Sequence, residues 1–419
     1  MRSFSEVFKH IGNSKKPQVK MKRLFLIALL FSFLFTSAQN KNSFTTYWKD
    51  GLRIESANKD FKIKMGGRIQ YDVMFISQDD SLNAYFDAEN GSEFRRARLY
   101  TSGTVYNNIK FKFQVDFAPG KVVLKDVYIQ LIKIPVVGNI RIGHMKEPFG
   151  MEMLTSSNFI TFMERSLTNQ FDFDRSLGLM IFNQHFNKRL SWFAGYFYPD
   201  FNTGRYHGDQ YHFTCRVAGL PVYRAESKYR VLHLGLGYSY QFHNNKEFSY
   251  KTRPEAHLAP KYLSIKIDEL NTHNSFKGEF ALVLGSISFQ SEYTISGIKP
   301  SASSSSTKEN YLLDAFFGTI SWFITGEHKN YNPSKTAFDR LKPKKNFGKG
   351  GVGAFELALR FSSINLNDED LSGGQMNNVT AGLNWYLNPA TKFAFNYIFT
   401  DVKTLGKSNI FQMRFQITF

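Results

Sequence analysis

The basic side chains of this 419-residue chain fall into a pattern that suggests a chemistry. Lys62, Lys64, Arg68, Arg96, Arg98, Lys110 and Lys112 all stand at even positions of alternating stretches, with Asp72 and Asp116 on the same parity. Ammonium and guanidinium groups fixed along one face exchange the hydration of a passing anion for charge and hydrogen-bond donors, provided the hold is weak enough for the ion to leave. That is binding and release, without bond making. Arg95 breaks the pattern, because it shares its parity with Ala97 and Leu99. A regular strand would turn it to the apolar side, and an arginine at a bilayer midplane costs roughly 2–4 kcal/mol, falling to about 0–1 near the interface. Arg95 therefore belongs at a bulge, a strand end or a subunit contact.

Other chemistries find less support. Gly348 to Gly353 spells G-x-G-x-x-G, but a dinucleotide site needs a strand before the glycines and a helix after them. Here Ala354 to Phe361 continues with period 2, so the glycines read as a turn entering a strand. An outer-membrane barrel hydrolase would need a nucleophile and a histidine. His144, His185, His207, His212 and His233 are present, yet no nucleophile elbow or zinc motif accompanies them. A non-conducting structural or adhesion barrel is the third reading, and ion conductance separates it from a pore. No residue pattern calls for a cofactor or a metal, so none is expected.

The elements that position the basic residues are strands. From Phe61 to Val73 the odd positions are Phe, Ile, Met, Gly, Ile, Tyr and Val, and the even ones Lys, Lys, Gly, Arg, Gln and Asp. The same alternation returns at Ile109–Phe117, Phe355–Phe361 and Phe411–Phe419. Side chains of a strand alternate between its two faces, so each stretch has an apolar and a polar side. Stretches of this kind are long enough to cross a bilayer as tilted strands, which takes about 9–11 residues, against about 5–6 for an ordinary strand. In hydrocarbon every backbone donor and acceptor must be satisfied internally, which leaves strands only a closed barrel. The expected fold is an all-β transmembrane antiparallel barrel of roughly 16 strands, with apolar sides outward and cationic sides lining the lumen. Asn244–Ser275, with Pro254 and Pro260, and the serine-rich Ser301–Asn310 read as surface loops, and Asn388-Pro389 as a tight turn flanked by girdle aromatics.

Abundant Phe (43) and Tyr (21) with a mean hydropathy of −0.33 fit interleaved rather than blocked apolar residues. The one long apolar run, Leu24–Phe35, follows Met21-Lys22-Arg23 and precedes Thr36-Ser37-Ala38. It is too short for a membrane-spanning helix and has the shape of a cleavable secretory signal over residues 21–38. Residues 1–20 then read as an upstream extension or mis-assigned start, 39–60 as an N-terminal segment and 61–419 as the barrel. The formal charge of +18 falls to +12 without the seven basic residues and one glutamate of the leader. An exported basic chain meets small anions and the acidic groups of surface glycolipid rather than nucleic acid. Cys215 is alone, so no internal disulfide forms.

In order along the chain stand Gly66-Gly67-Arg68-Ile69-Gln70, Phe94-Arg95-Arg96-Ala97, Lys125-Asp126-Val127-Tyr128, Pro148-Phe149-Gly150-Met151-Glu152, Thr155-Ser156-Ser157, Glu164-Arg165, Gly326-Glu327 and Asn384-Trp385-Tyr386. With these landmarks the chain resembles the phosphate- and pyrophosphate-selective porins O and P of Gram-negative outer membranes. The resemblance implies a 16-stranded barrel, a homotrimer, an inward-folded loop narrowing the pore, and passive uptake of phosphate or similar anions. It also implies that Arg95, Arg96, Lys110, Asp126, Ser156 and Ser157 form the central anion site, that Lys342 belongs to a basic funnel, and that the ending Phe411–Phe419 is what the barrel-assembly machinery recognises. Two positions depart from the family pattern. Met153 stands where the phosphate-selective members have a lysine, and Asn332 replaces a funnel lysine; Lys146, in the same loop, is the candidate replacement for the lost central cation.

Overall fold

The structure, a computed structural model, describes residues 43–118, 120–198, 210–225, 229–304 and 309–419. The expected leader and the residues before it lie outside these. An N-terminal hairpin of β1 (Phe44–Trp48) and β2 (Leu52–Ser56) comes first. Then follow β3 (Phe61–Gln78), β4 (Gly91–Val105), β5 (Ile109–Asp116), β6 (Val123–Ile134), β7 (Gly138–Met145), β8 (Ser176–His185), β9 (Leu190–Tyr198), β10 (Tyr211–Arg224), β11 (Arg230–Thr252), β12 (Leu263–Leu284), β13 (Ile287–Pro300) and β14 (Tyr311–Phe323). A small separate pair, β15 (Asn330–Asn332) and β16 (Ala337–Asp339), precedes β17 (Ala354–Asp368), β18 (Leu371–Asn388), β19 (Thr391–Val402) and β20 (Gly406–Thr418).

Sixteen of these strands, β3–β14 and β17–β20, pair antiparallel in sequence order. β20 closes the ring on β3, from Thr418 opposite Arg68 to Ser408 opposite Gln78. β2 extends the sheet at one rim by pairing with the first residues of β3. The barrel has the expected direction. In β17, Leu359 and Phe361 are 51% and 45% exposed on the outer surface, while Arg360 between them is 1% exposed inside. Phe113, Phe411 and Phe415 look outward in the same way, and Arg68, Asp72 and Arg414 inward. Near one rim the outer face carries a row of contacting rings, Phe355, Trp385, Phe393 and Phe415, where aromatic bodies meet the bilayer interface.

Connections differ by rim. One rim carries tight turns such as 106–108, 186–189 and 285–286 together with the single long connection 324–353, the other most of the longer loops, so the short-turn rim is read as periplasmic. Asn388-Pro389 forms a tight turn between β18 and β19, and Gly348, Gly350 and Gly353, all at positive φ, make the turn entering β17. The stretch Asn244–Ser275 corrects the surface-loop expectation. Most of it lengthens β11 and β12, which stay paired as far as Thr252 opposite Leu263, and its tip, residues 253–262, folds into the lumen. Glu255 in that tip accepts hydrogen bonds from Arg360 and Ser362 of β17 and Thr380 of β18, and His257 contacts Glu93 of β4 at 2.8 Å.

Two further segments turn inward, where the resemblance implied one. Residues 146–175, between β7 and β8, cross the lumen: Asn384 donates to the Thr161 carbonyl at 2.9 Å and Gln416 to that of Asn158 at 3.1 Å. Residues 324–353 leave the short-turn rim, and β15 and β16 lie inside the barrel, where Tyr331 contacts His233 at 2.8 Å and Arg216 donates to Thr336 at 2.5 Å. These segments fill the side formed by β10–β14 and β17. There Lys277 is sealed between Asp172 and Glu292, and Arg216 forms a fork on Glu279 at 2.7 and 2.6 Å. Towards the long-loop rim the inner face is apolar, with Leu263, Ile265, Leu313, Ile364 and Leu366 packed beneath the hairpin tip together with Phe171. Alternation assigns these residues correctly to alternate faces, but here the inside holds protein rather than water.

Candidate functional site

The two adjacent arginines are held by an irregularity in β4. Gln70 of β3 faces Arg96, and the next residue, Tyr71, faces Phe94, so Arg95 is an extra residue in the ladder. A bulge of this kind bends the strand and re-aims a side chain. Arg95 consequently points to the lumen, where its Nε and Nη2 donate to the two carboxylate oxygens of Glu164 at 2.9 and 3.0 Å. Arg96 approaches the same carboxylate at 3.5 Å and donates to Gln70 at 2.9 Å. A third arginine, Arg414 of β20, reaches Glu164 at 2.9 Å and forks onto Asp72 at 2.7 and 2.6 Å. Burial opposes ionisation of Glu164, but the charges of Arg95, Arg96 and Arg414 outweigh it and hold the carboxyl well below the usual carboxylate range.

Glu164 belongs to the inward segment 146–175, whose path is fixed at several points. Glu147 accepts from Ser176 and Thr214, both at 2.6 Å, and contacts His212 at 3.0 Å. Gly150, at φ +90°, turns the chain where a Cβ would lie 3.0 Å from Glu292 and Lys277. Glu152 binds the amide and hydroxyl of Ser166 at 3.1 and 2.8 Å, closing the segment on itself. Ser157 is thereby brought to Arg68, which donates to its hydroxyl at 2.6 Å, and its carbonyl accepts from Gln70 at 3.2 Å.

Neighbouring strands extend the wall. Arg98 faces Arg68 across the ladder and donates to Asp116 at 2.5 Å. Asp126 of β6 pairs with Lys112 and with Arg175, which also holds Asp174 at 2.7 Å. All of these except Asp116 line one internal cavity of about 1110 Å³, which runs from Asp50 and Arg53 of the N-terminal hairpin to Lys251 and His257 at the other end. Its lining carries 17 Lys and Arg against six Asp and Glu. Such a path favours anions, because each step past the fixed charges replaces lost hydration with donors and positive potential.

Of the residues marked from sequence, Arg95, Arg96, Asp126, Ser156, Ser157, Lys342, Lys64, Arg68, Arg98 and Lys112 all line this cavity. Lys110 and Lys62 do not. Lys110 is the second residue of β5, exposed beside the 106–108 turn, and Lys62 is the second residue of β3, opposite Glu55 of the hairpin and Thr104. Strand parity gives the face a side chain occupies and says nothing about its height in the barrel. The lysine that meets Asp126 is Lys112, two residues further along than the resemblance implied.

The departures are resolved locally. Met153 is buried, and its carbonyl is bound by Lys146 and by Arg165 at 3.2 Å. Lys146 thus lies beside Met153, with burial and then the charges of Arg165 and Arg175 pushing its ammonium well below the usual lysine range. Asn332 donates to Asp339 at 2.7 Å within the β15–β16 pair. Several wall residues went unmarked in the sequence: Arg141, Arg175, Arg253 and Arg340. All but Arg141 lie in connections, where no alternation flags them. For the hydrolase reading, the serine–histidine contact of His273 with Ser296, at 2.5 Å, is fully buried, and the other ring nitrogen meets the amide of Gln241 rather than a carboxylate. Among the described residues no group of three His, Cys, Asp or Glu is placed to hold a metal ion.

A closed sixteen-stranded barrel with an aromatic outer face and a polar, loop-narrowed lumen defines an outer-membrane porin. Residues 63–419 match the family described as phosphate-selective porin O and P, and the chain belongs to that family. It is similar to Porin O of Pseudomonas aeruginosa, 23% identical over 86% of this chain and 88% of that protein. An uncharacterized protein of Caulobacter vibrioides is 26% identical over 84% of this chain and 71% of the other. Among solved structures, the anion-selective porin of Comamonas acidovorans superposes with a TM-score of 0.52 at 12% identity, over 86% of this chain and all of that one. The outer-membrane protein OmpT of Vibrio cholerae gives 0.55 at 11% identity, over 86% and 98%.

Proposed function

We propose that this porin conducts small anions, phosphate and pyrophosphate among them, by passive diffusion across the outer membrane of a Gram-negative bacterium. The observation that carries the reading is the bulge at Arg95, which places Arg95 and Arg96 together on the lumen side at the inward segment, within a cavity whose lining is strongly cationic. Arg95, Arg96, Arg68, Lys112 and Ser156 are the donors offered to a passing oxyanion. Glu164 and Asp126 hold these cations in place and limit their grip, as escape requires. Lys342 and Arg340 continue the charge towards the short-turn rim. No covalent step is involved.

The same reading includes export by a signal over residues 21–38, delivery of the aromatic-ended β20 to the barrel-assembly machinery, contact with surface glycolipid, and a homotrimer; these rest on the sequence and on the family. The deciding experiment is the reversal potential of the purified protein in planar bilayers across a potassium chloride gradient. Anion preference is expected, with inorganic phosphate blocking the chloride current in a concentration-dependent way. Preference for cations sinks the proposal.

A further inference from the structure

The lumen side of β6, β8 and β9 gathers three aromatic rings into the cationic wall. Alternation there turns Tyr128, Phe182 and Phe193 inward, and all three line the cationic cavity. They are half-buried and packed against the buried cluster of Met145, Met180 and Phe197. Phe182 and Phe193 are cross-strand partners with rings stacked at 5.6 Å and 18°. The guanidinium of Arg141 lies over Tyr128 at 4.4 Å and near Phe182 at 5.1 Å, steered by two hydrogen bonds to Gln130 at 3.0 and 2.8 Å. The patch lies between the Arg95–Arg96 constriction and the short-turn rim, since Phe182 and Phe193 flank the 186–189 turn.

A water-filled path for bare inorganic ions gains nothing from half-exposed rings, whose hydration is unfavourable. The same rings beside a planar cation suit a solute that is charged at one end and flat and apolar at the other. The geometry points to a weak binding site for organic anions carrying an aromatic ring, of the aryl phosphate and mononucleotide class, with the ring against Phe182 and Phe193 and the phosphoryl group on Arg141 and Lys112. This deepens the anion-pore reading and rests on it. The pore then admits ring-bearing phosphate esters in addition to inorganic ions, and holds them just beyond the constriction.

The test compares phenyl phosphate with methyl phosphate as blockers of chloride current through the purified full-length pore in planar bilayers. The two carry the same charge and differ in the ring. Stacking of a ring on an aromatic side chain contributes about 1–3 kcal/mol, so phenyl phosphate is expected to block at a concentration at least about five-fold lower. In Phe182→Leu/Phe193→Leu, which keeps apolar volume and removes both rings, the ratio is expected to fall to about one-to-one while block by inorganic phosphate stays unchanged. Equal block by the two esters in the unaltered pore overturns the inference, and so does a ratio that survives the double substitution. If the double variant does not assemble, Phe182→Leu alone is read in the same way. A pore that prefers cations would instead remove the anion reading beneath it, and the reversal potential separates the two failures.

Discussion

Replacing Arg96 by glutamine removes one full charge from the constriction with little change of shape. Its Nη1 donates to Gln70 at 2.9 Å, a bond the amide can re-form, and Glu164 keeps its closer partners Arg95 and Arg414 at 2.9 Å. The cluster of Arg95, Arg96 and Arg414 with Glu164 and Asp72 therefore falls from a net charge of one to neutral. A unit charge about 5 Å from the ion path contributes about 0.8 kcal/mol at the screening of bulk water and about 3 kcal/mol at the effective dielectric of a protein surface. The lumen is hydrated, so the lower figure applies. An anion loses that stabilisation while a cation is relieved of the same repulsion, and the difference, about 1.6 kcal/mol, lowers the anion-to-cation permeability ratio roughly fifteen-fold. Reversal potentials in about 0.1 M salt, where the screening length is about 10 Å, measure this directly, and the effect shrinks as salt is raised. An Arg96→Gln pore of normal conductance and unchanged reversal potential refutes the placement of Arg96 on the ion path.

Leu359→Arg puts a charge on the outer face of β17, where Leu359 is half-exposed to hydrocarbon, and is expected to weaken folding into lipid vesicles by about 2–4 kcal/mol in urea titrations; an unchanged midpoint refutes the outward direction of the apolar faces. The three arginines around Glu164 give a pH signature. A carboxyl whose folded pKa is depressed contributes stability that is present above its unfolded value, about 4.3, and lost only as pH falls through the lower folded value. Anion preference is therefore expected to show no step from this group between pH 7 and about 4.3. A rise in preference centred in that window and abolished by Glu164→Gln refutes the bridged arrangement.

Period-2 alternation was enough to place Arg360 inside and Leu359 outside, and likewise through β3, β5 and β20, because in a strand neighbouring side chains have no choice but opposite faces. The conflict between Arg95 and its parity was also legible, and with it the choice among a bulge, a strand end and a subunit contact. What the alternation lacked was depth: Lys110 and Lys112 have the same parity, yet one stands exposed at the rim and the other beside Asp126. Depth depends on strand tilt and on where each turn closes, and both are set by pairing with neighbours. The fate of the connections was hidden for a related reason. Arg253–Tyr262 and residues 324–353 have the polar composition of surface loops, and only partners far away in the chain, such as Arg360 for Glu255 and His233 for Tyr331, draw them into the lumen. The amino-acid sequence by itself thus determined a membrane barrel with a cationic inner face, since local periodicity and the ban on unpaired backbone in lipid suffice for that. The eccentric, narrowed path, the three arginines gathered on Glu164 and the aromatic patch around Arg141 were decided by the tertiary structure alone, because they join residues that meet only when the barrel closes and its loops fold back inside.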